Sequence, residues 1–592
     1  MGWMRTSVVC TAMGLGVSGV AMGQSGTSAG DAAEKAKAAA AAKVGQAVPV
    51  SVALGRTGVP KAVEVAAASI DAEKLRAHVR FLSHDLLEGR GTGQRGGDIA
   101  AEYIATQFAL DGLKPAGDVG ADGTRSYLQK VDFVGVRTVG DATTFGFEGG
   151  GGKNFALKFP EDYIIENQTA KPVAEVDAPI VFVGFGIDAP EYKWDDYKGV
   201  DLHGKVALVI VNQPGVEDSS PFHGRPLTYY GRWTYKFEEL ARRGAVGVLI
   251  VHRTDLASYG WDVLRSSGLT ERSELVGDPL NQLEAAGWMT YASAGKLFAL
   301  SGRDLGAMIT AAQSRDFRPV ELGVKLKAHI VSEVRKFTSN NVIAQLPGGN
   351  VAAGKPDAAV IYTGHYDHLG LGTNKTGDNI YNGAADNGTG TAIVLEMARA
   401  WSELTVKPAH SIFFAAVTGE EQGLLGSKYL GMHPPVPAGQ ISLDLNFDEL
   451  LPVGDIVSAK VFGAERTTFW PVVEETAKQM GIELQPDDQP MAGHFYRSDH
   501  FSFARVGIPA FSVDTGTLYV GHDRAWGVEQ KRIYDTEHYH QVSDEYSPAM
   551  DFRGNATLAR FGFVLGWKAA EMAAPLGWQK GDEFEAARKK SE

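Results

Sequence analysis

The chain has 592 residues, 44% of them hydrophobic and 22% charged, with a formal net charge of −14. That length is too great for one ordinary core and calls for two or more domains. The acidic balance argues against a protein that binds nucleic acid by general attraction to phosphate, and outside the C-terminal "ARKKSE" there is no uninterrupted basic patch.

From the N-terminus, Arg5 precedes "TSVVCTAMGLGVSGVAMG" and "QSGTSAG". A basic start, an apolar stretch and the small residues Ala21 and Gly23 predict a secretory signal over 1–23, and so an exported chain, periplasmic or extracellular. The one cysteine, Cys10, lies inside it. A processed chain then carries no thiol, so any metal must be held by His, Asp and Glu. Such ligands suit zinc and, less selectively, manganese or cobalt. No other segment approaches the roughly 18 unbroken apolar residues of a membrane span. Residues 24–65, with "AAEKAKAAAAAK", read as a flexible leader.

Regular structure is expected from Ile70. "DAEKLRAHVRFLSHDLLEG" places Leu75, Val79, Leu82 and Leu86 at helical spacing, and "GDIAAEYIATQFALDGLKP" repeats the pattern through Ile99, Tyr103 and Phe108. Between about 170 and 330 the texture changes to short β-rich runs, "APIVFVGFGI", "KVALVIV" and "VGVLIV", with one helix, "WTYKFEELARRGA". This predicts a compact module of its own. After "KFTSNNVIAQLPG", strand and helix alternate: "AAVIYT", "TAIVLEMARAW", "SIFFAAV", "LLGSKYL", "ISLDLNFD", "FWPVVEETAKQMG". Alternation of this kind predicts a mixed, mostly parallel central sheet with helices on both faces, and sites in such sheets lie at the carboxyl ends of strands.

Five polar clusters fall at those ends. In "TGHYDH", His365 and Asp367 point the same way along an extended strand, so His365 reads as a metal ligand with Asp367 orienting its ring, while His368 faces away. In "NGAADNGTG", Asp386 either caps the next helix or binds metal. "TGEEQGLLGS" offers Glu420 and Glu421, one for a metal and one for a metal-bound water. "LDLNFDEL" offers Asp444, Asp448 and Glu449, and "TEHYHQVSDEY" offers His538, Tyr539, His540 and Asp544. Each cluster alone reads more readily as a surface residue, a helix cap or a strand end.

Taken in order, the five resemble the di-zinc aminopeptidases of peptidase family M28. The likeness covers about 70–165 and 335–575. The stretches "VGFGIDAPEYKWDDYKGVDLHGKVALVIVNQPG", "TYYGRWTYKFEELARRGAVGVLIVH" and "ASYGWDVL" resemble the protease-associated domain inserted in many metallopeptidases. The resulting division is a signal at 1–23, a leader at 24–65, a peptidase domain at 66–168 and 333–580, an inserted module at 169–332 that limits access, and a charged tail at 581–592. The resemblance implies two zinc ions. His365 and Asp448 bind one, Glu421 and His540 the other, and Asp386 lies between them, with Asp444 open as the alternative to Asp448. It also implies Glu420 as general base, Tyr539 as an oxyanion donor, and Asp367, Asp499 and His500 as supporting residues. The implied substrate is a peptide or protein N-terminus. A glutaminyl-peptide cyclotransferase, a metallo-carboxypeptidase and a binding protein on a degenerate peptidase scaffold are the alternatives.

Overall fold

The computed structural model describes residues 49–591 apart from 216–221, 223, 225, 258 and 373–376. The signal, Cys10 and most of the expected leader lie outside the described residues. Two short helices, Val50–Gly55 and Lys61–Ala68, begin directly after Pro49 and Pro60, where a fixed φ suits a helix start. They bury Leu54, Val63, Ala66 and Ala67 in the main core, so residues 50–65 are not a leader. The next helix, Ala72–Leu82, is capped by the Asp71 carboxylate and buries Leu75, Val79 and Leu82. It stops one turn before its apolar pattern does, and Leu86 is left 70% exposed. The helix Arg95–Leu110 closes the same core with Ala101, Ile104 and Phe108.

The main sheet is mixed. Ile412–Val417, Ala359–His365, Ile441–Phe447 and Ala510–Thr515 lie side by side and parallel, and every residue of the first three is buried. Burial on both faces explains why these strands read as continuous apolar runs instead of alternating. Beyond Ala510–Thr515 the antiparallel strand Ser458–Phe462 joins, and Glu483–Gln485 pairs parallel to that. On the opposite edge lies Val320–Leu346, 27 residues long, antiparallel to Ile412–Val417 and to Leu128–Thr138. The helices Gly390–Ser402 and Arg553–Ala570 supply Trp401, Phe561, Phe563 and Trp567 to the core.

The first half of Val320–Leu346 leaves this sheet and enters a second one. There it pairs with Thr144–Glu148 and Val173–Phe182. Val173–Phe182, Val206–Ile210, Gly247–Val251 and Ala285–Met289 continue that sheet in parallel, with the helix Trp233–Arg242 packed on it. Two apolar clusters fill this lobe, and they include Phe145, Phe147 and Tyr163. The second core therefore begins near residue 144, earlier than the expected boundary at 169. At the other end of the chain, residues of the expected tail at 581–592 pack as well, as far as they are described, to 591. Phe584 is buried, and Arg588, on the helix Glu585–Ser591, donates to the Ile441 carbonyl. Among the described residues, no helix is long and apolar enough to cross a membrane.

Candidate metal centre

The parallel strands deliver polar residues to one end of the sheet. His365 closes the strand Ala359–His365, Asp448 follows Ile441–Phe447 by one residue, and Glu420 and Glu421 lie in the turn after Ile412–Val417. Asp386 sits in a tight turn before Gly390–Ser402, reached through Gly383 at φ 58°. The carboxylate of Asp544 holds that turn by accepting from the Ala385 and Asp386 amides at 2.9 and 3.0 Å. The Asn387 side chain links it to the end of the Asp448 strand by donating to the Phe447 carbonyl at 2.9 Å. His540 arrives from a loop far along the chain, with φ at 56°, a left-handed backbone that side chains other than glycine seldom adopt.

These residues converge. His365 Nε2 lies 3.1 Å from Asp448 Oδ1, 3.4 Å from Asp386 Oδ1 and 3.8 Å from Glu420 Oε2. His540 Nε2 lies 3.2 Å from Asp386 Oδ2 and 3.2 Å from Glu421 Oε2. Asp386 thus faces one histidine with each oxygen. Ligand atoms of His365, Glu420 and Asp448 all fall within 4.8 Å of one another, as do those of His368, Asp386 and Glu421.

Electrostatics point the same way. Burial alone would push the imidazoles toward neutrality, but the facing carboxylates override it. Glu420 and Asp448 hold His365 well above its ordinary value, and Asp386 and Glu421 raise His540 to about 10. Burial opposes ionisation of Asp386 and Glu421 too, yet the histidines keep Asp386 well below the usual carboxylate range and Glu421 at about 2. Glu420 goes the other way: burial, with the nearby charges of Asp448, Glu421 and Asp499, raises it well above the ordinary range. Four carboxylates crowded into a buried pocket are stable only with positive charge among them. Oxygen and imidazole donors without thiolate suit zinc or a similar divalent ion, so the residues fit the expected metal.

The remaining expected residues fall into place unevenly. Asp444 faces away from the cluster: its Oδ1 accepts from Thr363 Oγ1 at 2.8 Å, and burial pushes its carboxyl well above the ordinary range. Asp448, beside His365, also accepts from Ser498 Oγ at 2.6 Å. The carboxylate of Asp367 is 3.8 Å from His365 Nδ1; the closer partner of that nitrogen is the Asp367 carbonyl, at 3.1 Å. The carboxylate instead accepts from Thr92 Oγ1 at 2.7 Å and from the Glu420 amide at 3.2 Å, and so positions the Glu420 turn. Tyr539 stacks on the His540 ring at 3.9 Å and faces the cavity. Glu449 pairs with Lys531 at 2.7 Å. His538 Nδ1 meets Ser543 Oγ at 3.0 Å, so its partner is a neighbour in its own loop. Asp499 is fully buried, and burial raises its carboxyl to about 7.

Two expectations need correcting. His368 does not face away. The strand ends at His365, the two-residue alternation ends with it, and the His368 ring turns inward with Nδ1 at 2.6 Å from Glu421 Oε1. His500 does not support the cluster through a hydrogen bond. Its ring packs edge-on against Phe495 at 4.9 Å, and neither ring nitrogen has a hydrogen-bond partner among the described residues. Burial, with the Arg466 charge nearby, lowers it to about 3. The unfolded ring takes up a proton below about pH 6.5, the folded one only near pH 3, so this contribution to stability is intact above pH 6.5 and is lost as pH falls from there. At pH 5 the loss is about 2 kcal/mol. Thermal unfolding of His500→Phe should therefore depend less on pH between 5 and 7 than that of the parent.

Arg90 was not legible in the sequence as part of this region. It is fully buried, and its guanidinium donates to the carbonyls of Leu82, Tyr366, Asn382 and Gly383, tying the His365 and Asp386 loops together. Nothing in "EGRGTG" distinguishes it from a surface arginine.

Residues 341–560 match the model of peptidase family M28. Leupeptin-inactivating enzyme 1 of Streptomyces exfoliatus is 28% identical over 238 residues, 38% of this chain and 48% of that protein. Probable leucine aminopeptidase 2 of Aspergillus oryzae is 27% identical over 234 residues, 37% of this chain and 43% of that one. The chain spans about half the length of the curated relatives it matches. Among solved structures, an aminopeptidase from Aneurinibacillus sp. strain AM-1 is 21% identical with a TM-score of 0.43, covering 86% of this chain and 95% of that one.

Proposed function

We propose that this chain, whose residues 341–560 belong to peptidase family M28, is an exported zinc aminopeptidase that removes N-terminal residues from peptides. The observation that carries the reading is the position of Asp386, one oxygen toward His365 and the other toward His540. A carboxylate so placed would help hold two ions, with His365 and Asp448 as the other residues for one and Glu421 and His540 for the other. Bound there, zinc ions would supply Lewis acidity and lower the pKa of a water.

The protein's own groups do the rest. Glu420, held by the Asp367 carboxylate through its backbone amide, faces the cavity with a raised proton affinity. It takes the proton of the attacking water and delivers it to the leaving amine. Tyr539 offers its hydroxyl to the carbonyl oxygen as negative charge builds there. The acidic cluster attracts the free α-amine of the substrate. The second lobe, read as a protease-associated domain, walls the cavity and favours short or unfolded substrates. Export rests on the basic and apolar pattern of residues 1–23.

Substitution at the two aspartates tests the ligand assignment. Asp448→Ala should lose bound zinc and cut kcat/KM by more than the roughly 10- to 100-fold typical of outer partners of a metal site. Asp444→Asn, which keeps the volume and the contact with Thr363, should keep its metal. Elemental analysis of both proteins checks this; the reverse pattern would exchange their roles.

A further inference from the structure

A cavity of about 550 Å³ lies between the two lobes, and Glu420, Glu421, Tyr539 and His540 form part of its wall. Five arginine and lysine residues line the same cavity: Arg232, Arg272, Lys428, Arg497 and Arg505. Three are matched by carboxylates. Arg272 meets Glu166 at 3.0 Å, Lys428 meets Asp278 at 2.5 Å, and Arg505 meets Glu238 at 2.5 Å. The other two, Arg232 from the second lobe and Arg497 from the peptidase lobe, have no carboxylate partner among the described residues. Nε of Arg232 is sealed from solvent with no hydrogen-bond acceptor.

An unpaired guanidinium in a cavity wall is costly, because its donors give up water without replacement. A second like charge nearby adds to that cost. Burial and then the Arg497 charge lower Arg232 to about 10. The backbone leaves Arg232 little freedom to escape. It follows the turn Tyr229–Gly231, its amide donates to the Tyr229 carbonyl at 3.0 Å, and the helix Trp233–Arg242 starts at the next residue. That cost falls on Arg232, since Arg497 is exposed; both line one cavity from opposite lobes, and guanidinium groups suit a planar anion.

We propose that Arg232 and Arg497 bind a carboxylate of the substrate, so that the enzyme prefers short peptides that carry one close to the scissile bond. The inference rests on the aminopeptidase reading and adds a substrate class to it. The carboxylate has two possible sources, the C-terminus of a di- or tripeptide and an acidic side chain just beyond the cleaved bond.

Rates on matched peptides test it. Leu-Gly-Gly as free acid is compared with its C-terminal amide, and Leu-Asp amide with Leu-Asn amide. Charged hydrogen bonds of this kind predict that the carboxylate-bearing member of one pair has a kcat/KM about 10- to 100-fold higher. The ratio should fall toward one in Arg232→Met and in Arg497→Met. Preference in the first pair identifies the C-terminus, and preference in the second the side chain. If the parent protein cleaves all four peptides with no preference in either pair, the carboxylate site is overturned while the aminopeptidase reading stands. If none is cleaved, that reading fails, and titration calorimetry of the same peptides into Glu420→Gln protein decides: tighter binding of the carboxylate-bearing members upholds the site, and equal binding overturns it.

Discussion

Glu420→Gln should lower kcat by about 10²- to 10⁴-fold, the range a positioned general base contributes, while the protein keeps its zinc and its fold. The substitution removes a carboxylate whose proton affinity is raised by its surroundings, unlike Asp386 and Glu421, and it keeps the side-chain volume. Burial and the neighbouring carboxylates raise Glu420, whereas Asp386 and Glu421 are driven the other way by the histidines they face. Two kinds of carboxylate in one pocket, one suited to move a proton and the others suited to stay ionised, is the pattern that separates a base from ligands. KM should change little, because the amide can still fill the pocket. Steady-state kinetics with a leucine chromogenic substrate, run beside metal analysis, checks both halves. Full activity in the variant would remove Glu420 from the chemistry.

Stripping the metal should cost stability as well as activity. Asp386, Glu420, Glu421 and Asp448 fall into two neighbouring groups with His365 and His368, and His540 faces Asp386 and Glu421. A chelated protein must offset that charge with protons on His365 and His540, whose proton affinity the carboxylates raise. It should therefore unfold at a lower temperature than the loaded protein. Added zinc should raise the midpoint in a concentration-dependent way, by about 2.7 kcal/mol of stabilisation when free zinc is 100 times its dissociation constant. Activity should vanish on chelation and return with zinc, then with manganese or cobalt to other extents. Calorimetric scans at several zinc concentrations measure this. A midpoint indifferent to chelation would mean that the cluster is balanced without ions.

Much of this arrangement was readable in the amino-acid order, and what was not has specific reasons. The four parallel strands show as apolar runs because both their faces are buried, and the polar residues at their ends stand out against those runs. Alternation within a strand could not decide between Asp444 and Asp448. The strand ends at Phe447, and the chain beyond it turns Asp448 toward His365. The same limit misplaced His368, which lies three residues past His365, beyond the end of its strand. Arg90, Thr92 and Asp544 act through backbone amides and carbonyls or through one carboxylate, contacts that leave no spacing signature. The N-terminal lobe boundary was misplaced because the strand Thr144–Glu148 already belongs to the second sheet, ahead of the change of texture near 170; the return boundary falls inside Val320–Leu346, where the pairing switches sheets at Val331 and Ser332. The helices at 50–68 were masked by their Ala-rich surroundings; Leu54, Val59 and Val63 are the larger side chains buried there, beside Ala66 and Ala67.

Anomalous diffraction at the zinc edge, on crystals of protein purified without chelator, bears most directly on the whole proposal. Two peaks should appear, one on either side of the Asp386 carboxylate, the first within bonding distance of His365 and Asp448 and the second of Glu421 and His540. A single peak distant from Asp386, or none in a protein that still hydrolyses peptides, would contradict it.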